Sequence, residues 1–216
     1  MTLSVDLFWS FRSPYSYLVA PRMGDLERRY YLEVRVRPVY PIAVRIENFF
    51  KTVNPMFAPY LLIDSAREAE QLGMPIAWPS PDPVQMDMAT GEVPKEQPYI
   101  HRLTRLGVAA TEAGKGLPFI TEVSRIIFGG QRDWHEGDHL HAAAERAGLN
   151  LDYLDTVIEA DPDRFENIIT ENEAAQKAAG HWGVPLMVFD GEPFFGQDRV
   201  DALVWRMRQN GLQERS

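Results

Sequence analysis

The residues with the most direct chemical reading are the hydroxyls of Ser13-Pro14-Tyr15-Ser16. The segment just before them, SVDLFWS, is aromatic and β-branched, with Val5, Leu7 and Trp9 on one face, which predicts a buried strand. Serine is a preferred N-cap and proline suits the first helical position, so a helix is predicted to start here. A helix N-terminus has unpaired N–H groups and about half a positive charge, and so attracts anions. Ser13 is therefore either an N-cap alone or also a hydroxyl donor to an anion held there. Two other segments bear on the same chemistry. Gly183-Val184-Pro185 leads into an apolar run; Pro185 is either a trans structural residue or a cis-proline that exposes the Val184 backbone to a bound thiol ligand. Gly196-Gln197-Asp198-Arg199 opens the last helical pattern. Asp198 is either an ordinary N-cap or, with Gln197, part of a cradle for a ligand's ammonium and carboxylate.

The chain contains no cysteine. That removes disulfides, thiolate metal sites and cysteine nucleophiles together, so any thiol chemistry must use a thiol that arrives from outside. A free thiol with a pKa of about 8.5 is only a few per cent thiolate at pH 7. Lowering that pKa by about two units takes about 2.7 kcal/mol of preferential anion stabilisation. A helix terminus supplies about 0.3–2 kcal/mol and a hydroxyl donating to an anion about 1.5–3 kcal/mol, so the two together suffice. Serine cannot form a mixed disulfide, and such a site activates a thiol without being oxidised itself.

These groups need elements to position them. Tyr17, Leu18, Met23, Leu26 and Tyr30 form a helical stripe, in which Pro21 predicts a kink. Leu32, Val34, Val36 and Pro38 alternate with Glu33, Arg35 and Arg37, a second strand exposed on one side. From 42 to 180 no strand pattern appears. Helical patterns lie near 60–72, 99–113, 119–128, 139–147, 151–159 and 164–179, several of them stopping at Gly73, Gly114, Gly148 and Gly180. A proline-rich loop, 75–98, separates the first two. Residues 184–189 then form an apolar run, Asp190-Gly191 signals a hairpin, and Pro193-Phe194-Phe195 is the return strand, with Pro193 suited to an edge. A closing helix covers 198–208. The order β-α-β, helices, β-β-α predicts an α/β fold with one sheet split by a helical insertion.

Composition bounds the partners. The chain has 216 residues, 45% hydrophobic and 25% charged, and so is a folded globular protein of about one to one and a half domains. Lys plus Arg is 22 against 31 Asp plus Glu, a net charge of −9. That balance lacks the basic footprint for nucleic acid or an anionic membrane. No stretch of about 18 apolar residues is present to span a bilayer. The start has no basic region followed by an apolar run, so no secretory signal is expected and the cytoplasm is the expected compartment.

Taken together, FWSFRSPYSYL and, about 170 residues later, WGVPLMVFDGEPFFGQDRVDAL resemble the 2-hydroxychromene-2-carboxylate isomerase and kappa-class glutathione transferase family. That family belongs to the DsbA-like branch of the thioredoxin superfamily, and two serines here replace the Cys-x-x-Cys of the thiol–disulfide oxidoreductases. Arg67-Glu68-Ala69, with Gly73-Met74-Pro75 and Pro79, is similar to its first inserted helix and following loop. The resemblance implies a thioredoxin-like domain at 1–41 and 181–216 with a helical insertion domain at 42–180. It further implies a homodimer that binds glutathione and needs no metal. Ser13 then matches the catalytic hydroxyl, and Val184, before Pro185, the residue that pairs its backbone with glutathione. Gln197 and Asp198 match the residues at the γ-glutamyl end. An Asn-and-Lys pair normally completes the site: Asn48 or Asn54 is the candidate asparagine and Lys51 the candidate lysine. Phe57 stands where lysine is expected, and Arg12 where an apolar residue is usual.

The reaction the resemblance implies is reversible addition of the thiolate to a double bond conjugated to a carbonyl, giving a glutathione-dependent isomerase of 2-hydroxychromene-2-carboxylate-type intermediates of aromatic degradation. A kappa-like glutathione transferase or peroxidase and a non-catalytic DsbA-like binding module are the alternatives. Arg12 either meets a substrate carboxylate or points to solvent. Tyr15, Trp78, Phe50 and Phe57 are either walls of an aromatic-substrate pocket or plain core. His181 either lines the site or is an ordinary loop residue. His135, His139 and His141 crowd into WHEGDHLH, but Gly137 argues against the continuous helix that a zinc pair four residues apart would need.

Overall fold

Strand β1, Leu3–Trp9, forms as the β-branched pattern predicts in the computed structural model, which describes residues 2–87 and 90–215. Residues 88–89 of the proline-rich loop lie outside the described residues. Val5, Leu7, Phe8 and Trp9 are buried because β1 is an inner strand of the sheet. Helix α1, Pro14–Arg29, begins with Pro14 in its first turn and continues as one helix through Pro21, so the expected kink does not divide it. Strand β2, Leu32–Pro38, alternates buried and more exposed residues. It pairs parallel with β1, Val5 opposite Val34 and Leu7 opposite Val36.

Helices α2 (Ile42–Arg45), α3 (Phe49–Thr52), α4 (Phe57–Leu72), α5 (Ile100–Glu112), α6 (Gly116–Phe128), α7 (His139–Arg146), α8 (Leu151–Ala160) and α9 (Pro162–Ala178) follow. Hydrophobic periodicity locates α4 to α9 with small shifts at their ends. It misses α2 and α3, which have four residues each and are too short to show a period. Gly73, Gly114, Gly148 and Gly180 all adopt positive φ just beyond helices, as expected of stop signals.

Strands β3 (Leu186–Phe189) and β4 (Glu192–Phe195) form an antiparallel hairpin. Its turn residues, Asp190 and Gly191, have φ of 50° and 78°, the left-handed pair that a two-residue hairpin requires. The strand order is β2-β1-β3-β4, which puts Pro193 on an edge strand where its missing N–H is tolerated. A 3-10 turn, Gln197–Arg199, leads into α10, Val200–Gln209. Asp198 therefore lies inside this turn and makes no side-chain cap hydrogen bond, contrary to the reading of it as an ordinary N-cap.

One apolar core joins β1 (Val5, Leu7, Trp9), α1 (Leu18, Met23), α5 (Leu103, Leu106), α6 (Phe119, Ile120) and α10 (Leu203, Met207). The inserted helices α5 and α6 thus share their core with the sheet. The seam is aromatic: Phe11 meets Phe119 edge-on at 6.3 Å, and Tyr17 stacks on Phe128 at 5.5 Å. Gly107 of α5 permits this approach, since a Cβ there would sit 3.0 Å from the Phe11 ring. The other sheet face holds Phe8, Val39 and Leu186, covered by Ala175 and Ala179 at the end of α9. Among the described residues no helix is long and apolar enough to cross a membrane. The ends of β1 and β2, the start of α1 and the entry to β3 meet at one end of the sheet, the usual place for a site in α/β architectures.

Candidate functional site

Ser13 sits in extended conformation between β1 and α1, so its side chain folds over the first helical turn. Its Oγ accepts the Ser16 N–H at 3.1 Å, and its hydroxyl donates to the Val184 carbonyl at 3.4 Å. The first contact uses a lone pair; the second engages the proton at a length where a hydrogen bond is weak. The N-cap role and the donor role are thus compatible, because they use different parts of one hydroxyl. Trp9 fixes the start of the helix from below. Its indole N–H donates to the Ser16 carbonyl at 2.8 Å, and its ring packs edge-on against Phe11 at 4.6 Å.

The Val184–Pro185 peptide bond is cis, as is Ser80–Pro81. The Pro185 carbonyl accepts the Gly196 N–H at 3.0 Å. Ser13 and Val184, which are 171 positions apart, are therefore in direct contact. Gly183 is packed so closely that a Cβ would lie 2.5 Å from the Phe195 ring and 3.0 Å from His181.

His181 stacks on Phe195 at 3.8 Å and on Trp182 at 5.5 Å, beside the residues that precede Val184. Burial pushes its pKa below the ordinary value. Its Nδ1 accepts the Gly183 N–H at 2.9 Å, which only an unprotonated ring nitrogen can do. In the unfolded chain the ring titrates near about 6.5. Below that pH the unfolded state takes up a proton that the folded state resists. The contribution to stability is therefore complete above about pH 6.5 and is lost as pH falls through the lower folded-state value. Urea unfolding from pH 7.5 to pH 5 should show a loss of stability on acidification that is smaller in His181→Phe, which keeps the stacking and lacks the proton. Equal pH slopes in the two proteins would remove His181 as the cause.

Arg12 is neither solvent-directed nor free. Its side chain is 8% exposed and makes a two-pronged ion pair with Asp82, Nε to Oδ1 and Nη2 to Oδ2, both at 2.8 Å. The guanidinium also lies 5.4 Å from the Phe50 ring centre and 6.0 Å from that of Trp78. Asp82 accepts the Val84 N–H as well, and the adjoining Pro81 carbonyl accepts the Trp134 indole N–H. Arg12 thus ties the start of α1 to an anchored part of the proline-rich loop. Bidentate pairing of this kind fixes geometry as well as contributing energy.

Tyr15 is partly buried, and its hydroxyl donates to Asp64 of α4 at 2.6 Å. Burial, then the Asp64 carboxylate, pushes its pKa well above the ordinary tyrosine value, so the phenol stays protonated. One turn along α4, Glu68 accepts from Gln197 Nε2 at 2.5 Å. Arg22 of α1 donates to both the carbonyl and Oε1 of Gln197, at 2.6 and 3.0 Å. Gln197 is consequently buried and fully oriented, whereas Asp198 is exposed and 3.5 Å from Arg199.

Lys51 lies in α3, Asn54 in the connection between α3 and α4, and Phe57 at the start of α4. Lys51 is exposed, with its stem beside Gly91. Asn54 is exposed and accepts the Met56 N–H in a local turn. Phe57 is partly buried, edge-on to Phe49 at 5.8 Å. Among the described residues no hydrogen bond or ion pair joins any of the three to Ser13 or Val184. Phe49 also faces Trp182 at 6.3 Å, so the aromatic rim includes two rings that were not singled out as substrate walls. Asp64, Asp82 and Arg22 were likewise missed. Asp64 and Glu68 do carry a signal, carboxylates one helical turn apart. Asp82 carries none, since a loop acid gives no hint of a partner 70 positions away.

The histidines of 135–141 lie elsewhere. His135 packs on Tyr99 at 4.7 Å, His139 approaches Gln131, and His141 pairs with Asp152 at 2.9 Å.

Comparison with known proteins places this geometry in context. The family model described as DSBA-like thioredoxin domain matches residues 4–208. A 2-hydroxychromene-2-carboxylate isomerase from Sphingobium xenophagum is 27% identical over 207 residues, covering 94% of this chain and 97% of that protein. The solved structure of a 2-hydroxychromene-2-carboxylate isomerase superposes with a TM-score of 0.72 at 20% identity, covering 96% of this chain and 95% of the other. A probable DsbA oxidoreductase from Streptomyces coelicolor superposes with a TM-score of 0.65 at 18% identity, covering 96% and 89% of the two chains.

Proposed function

Since the chain belongs to the DSBA-like thioredoxin-domain family yet has no cysteine, we propose that its Ser13 site assists isomerisation with a borrowed thiol instead of exchanging disulfides. Glutathione is the thiol, and a 2-hydroxychromene-2-carboxylate-type intermediate of aromatic degradation is the substrate. The observation that carries this reading is the state of the Ser13 hydroxyl. Ser16 N–H occupies one lone pair, while among the described residues its proton has only the 3.4 Å contact with Val184 and can turn to a sulfur anion. The substrate class is supported by the 27% identity to the Sphingobium xenophagum isomerase.

The residues present suit glutathione. Among the described residues the Val184 N–H has no partner, so Val184 offers a peptide edge to a peptide-like molecule. The exposed Asp198 offers a carboxylate for the ammonium of a γ-glutamyl end, and the buried Gln197, held by Arg22 and Glu68, fixes the turn that carries it. When bound, glutathione supplies a nucleophilic sulfur that adds to the conjugated double bond, allows rotation there and leaves again unconsumed. Ser13 and the α1 terminus hold that sulfur as an anion. Tyr15 stays protonated and fixed to Asp64. Arg12, held by Asp82 and near the Phe50 and Trp78 rings, fixes the aromatic rim beside the start of α1. The reaction belongs in the cytoplasm, where low-molecular-weight thiols stay reduced.

The test is an ultraviolet assay of substrate isomerisation with and without glutathione, with total thiol titrated in parallel. The expected result is glutathione-dependent turnover at constant total thiol. Stoichiometric loss of thiol would make the protein a transferase, and turnover indifferent to thiol would overturn the reading.

A further inference from the structure

Between the Trp182 carbonyl and the Pro185 carbonyl, each backbone hydrogen-bonding group but one has a protein partner among the described residues. Arg45 Nη2 donates to the Trp182 carbonyl at 2.9 Å. His181 Nδ1 accepts the Gly183 N–H at 2.9 Å, and Gln176 Nε2 donates to the Gly183 carbonyl at 2.7 Å. Ser13 donates to the Val184 carbonyl, and Gly196 N–H to that of Pro185. Only the Val184 N–H is left. The two outer donors are themselves locked together, since Arg45 Nη1 donates to Gln176 Oε1 at 2.7 Å. Gln176 is fully buried in α9, and the Arg45 side chain is 12% exposed in α2. The first element of the insertion and its last helix thus converge on two successive carbonyls just before Val184.

We propose that Gln176 and Arg45 are positioning residues that hold the Trp182–Gly183 turn so that the Val184 peptide faces the bound thiol. A buried amide with both ends engaged has one orientation, and so does the carbonyl it holds. Losing it lets the Gly183 peptide rotate, and the Val184 N–H moves with it. The loss falls on thiol binding, because Ser13, the α1 terminus and the Arg12 rim are held by other contacts. This inference rests on the thiol-dependent reading above.

The experiment is steady-state kinetics of Gln176→Met, Arg45→Met and Arg45→Lys beside the wild type, with glutathione and the conjugated substrate varied separately. In the methionine variants KM for glutathione should rise roughly three- to tenfold, the worth of one neutral hydrogen bond. kcat and the substrate's KM should stay within about twofold. Arg45→Lys, which restores a donor toward the Trp182 carbonyl, should recover part of the loss. A merely structural role would lower Tm and move all three parameters together in every variant, and that pattern overturns the proposal, as does an unchanged glutathione KM. If Gln176→Met does not fold, the Arg45 pair decides. A wild type without thiol dependence defeats the functional reading itself and this proposal with it, whereas a thiol-dependent wild type with unaltered variants defeats only the positioning role.

Discussion

Ser13→Ala should lower kcat/KM for glutathione-dependent turnover by about 10- to 100-fold, the worth of a hydrogen bond from a neutral donor to an anion. It should also raise the pH at which the bound thiol ionises, visible as a shift in the absorbance of the thiolate on titration. The substitution removes two functions at once, because the same Oγ caps α1 through Ser16. Loss of an N-cap costs about 1 kcal/mol. Ser13→Asp separates the two. Aspartate caps as well as serine and suits the positive end of the helix, so stability is retained. Its charge repels a sulfur anion, so activity should fall at least as far as in alanine. Ser13→Thr keeps both the cap and the hydroxyl and should keep most of the activity. If Ser13→Asp turns over like the wild type, Ser13 is only a cap, and the protein is better described as a binding module whose chemistry lies elsewhere.

Trp9→Ala should lower the free energy of unfolding by about 3–5 kcal/mol, measured by urea titration. Trp9 is fully buried, meets Phe11 edge-on and spans β1 to α1 through the Ser16 carbonyl. Truncation would leave a large void and remove the indole hydrogen bond that ties β1 to the first turn of α1. Against a total of about 5–15 kcal/mol for a native protein, that is a large share. Trp205→Ala is the control: Trp205 is exposed, and its main contact is the Arg206 guanidinium at 4.8 Å. Its loss should amount to less than about 1 kcal/mol. Similar losses for the two tryptophans would mean that the buried β1–α1 junction contributes no more to stability than an exposed surface contact.

Much of the architecture was legible because its signals are local. The β1 face, the α1 cap, the glycine stops and the Asp190-Gly191 turn depend on residues within a few positions of one another, and each formed where its pattern predicted. Where local patterns ran short, the reading failed. α2 and α3 span one turn each, and Asp198 looks like a cap from sequence although a 3-10 turn places it one residue too early to serve. Arg12 shows the same limit more sharply. Residue type and position suggested a ligand contact or a solvated group, and the choice of Asp82 as its partner depends on a loop folded back across 70 positions.

The sequence alone determined that any thiol chemistry must use a thiol from outside, since no cysteine exists in the chain. It also determined that a hydroxyl stands at the start of the first helix, because serine before proline is a cap by its own stereochemistry. Tertiary structure decided which groups that hydroxyl meets. The cis Val184–Pro185 bond, the contact between Ser13 and Val184, and the hold of Gln176 and Arg45 on the turn before it are all long-range. A free chain favours trans at proline by only about 0.5–1 kcal/mol, so tertiary context can select either isomer, and hydrogen-bond partners far apart in sequence are chosen only when the core has closed.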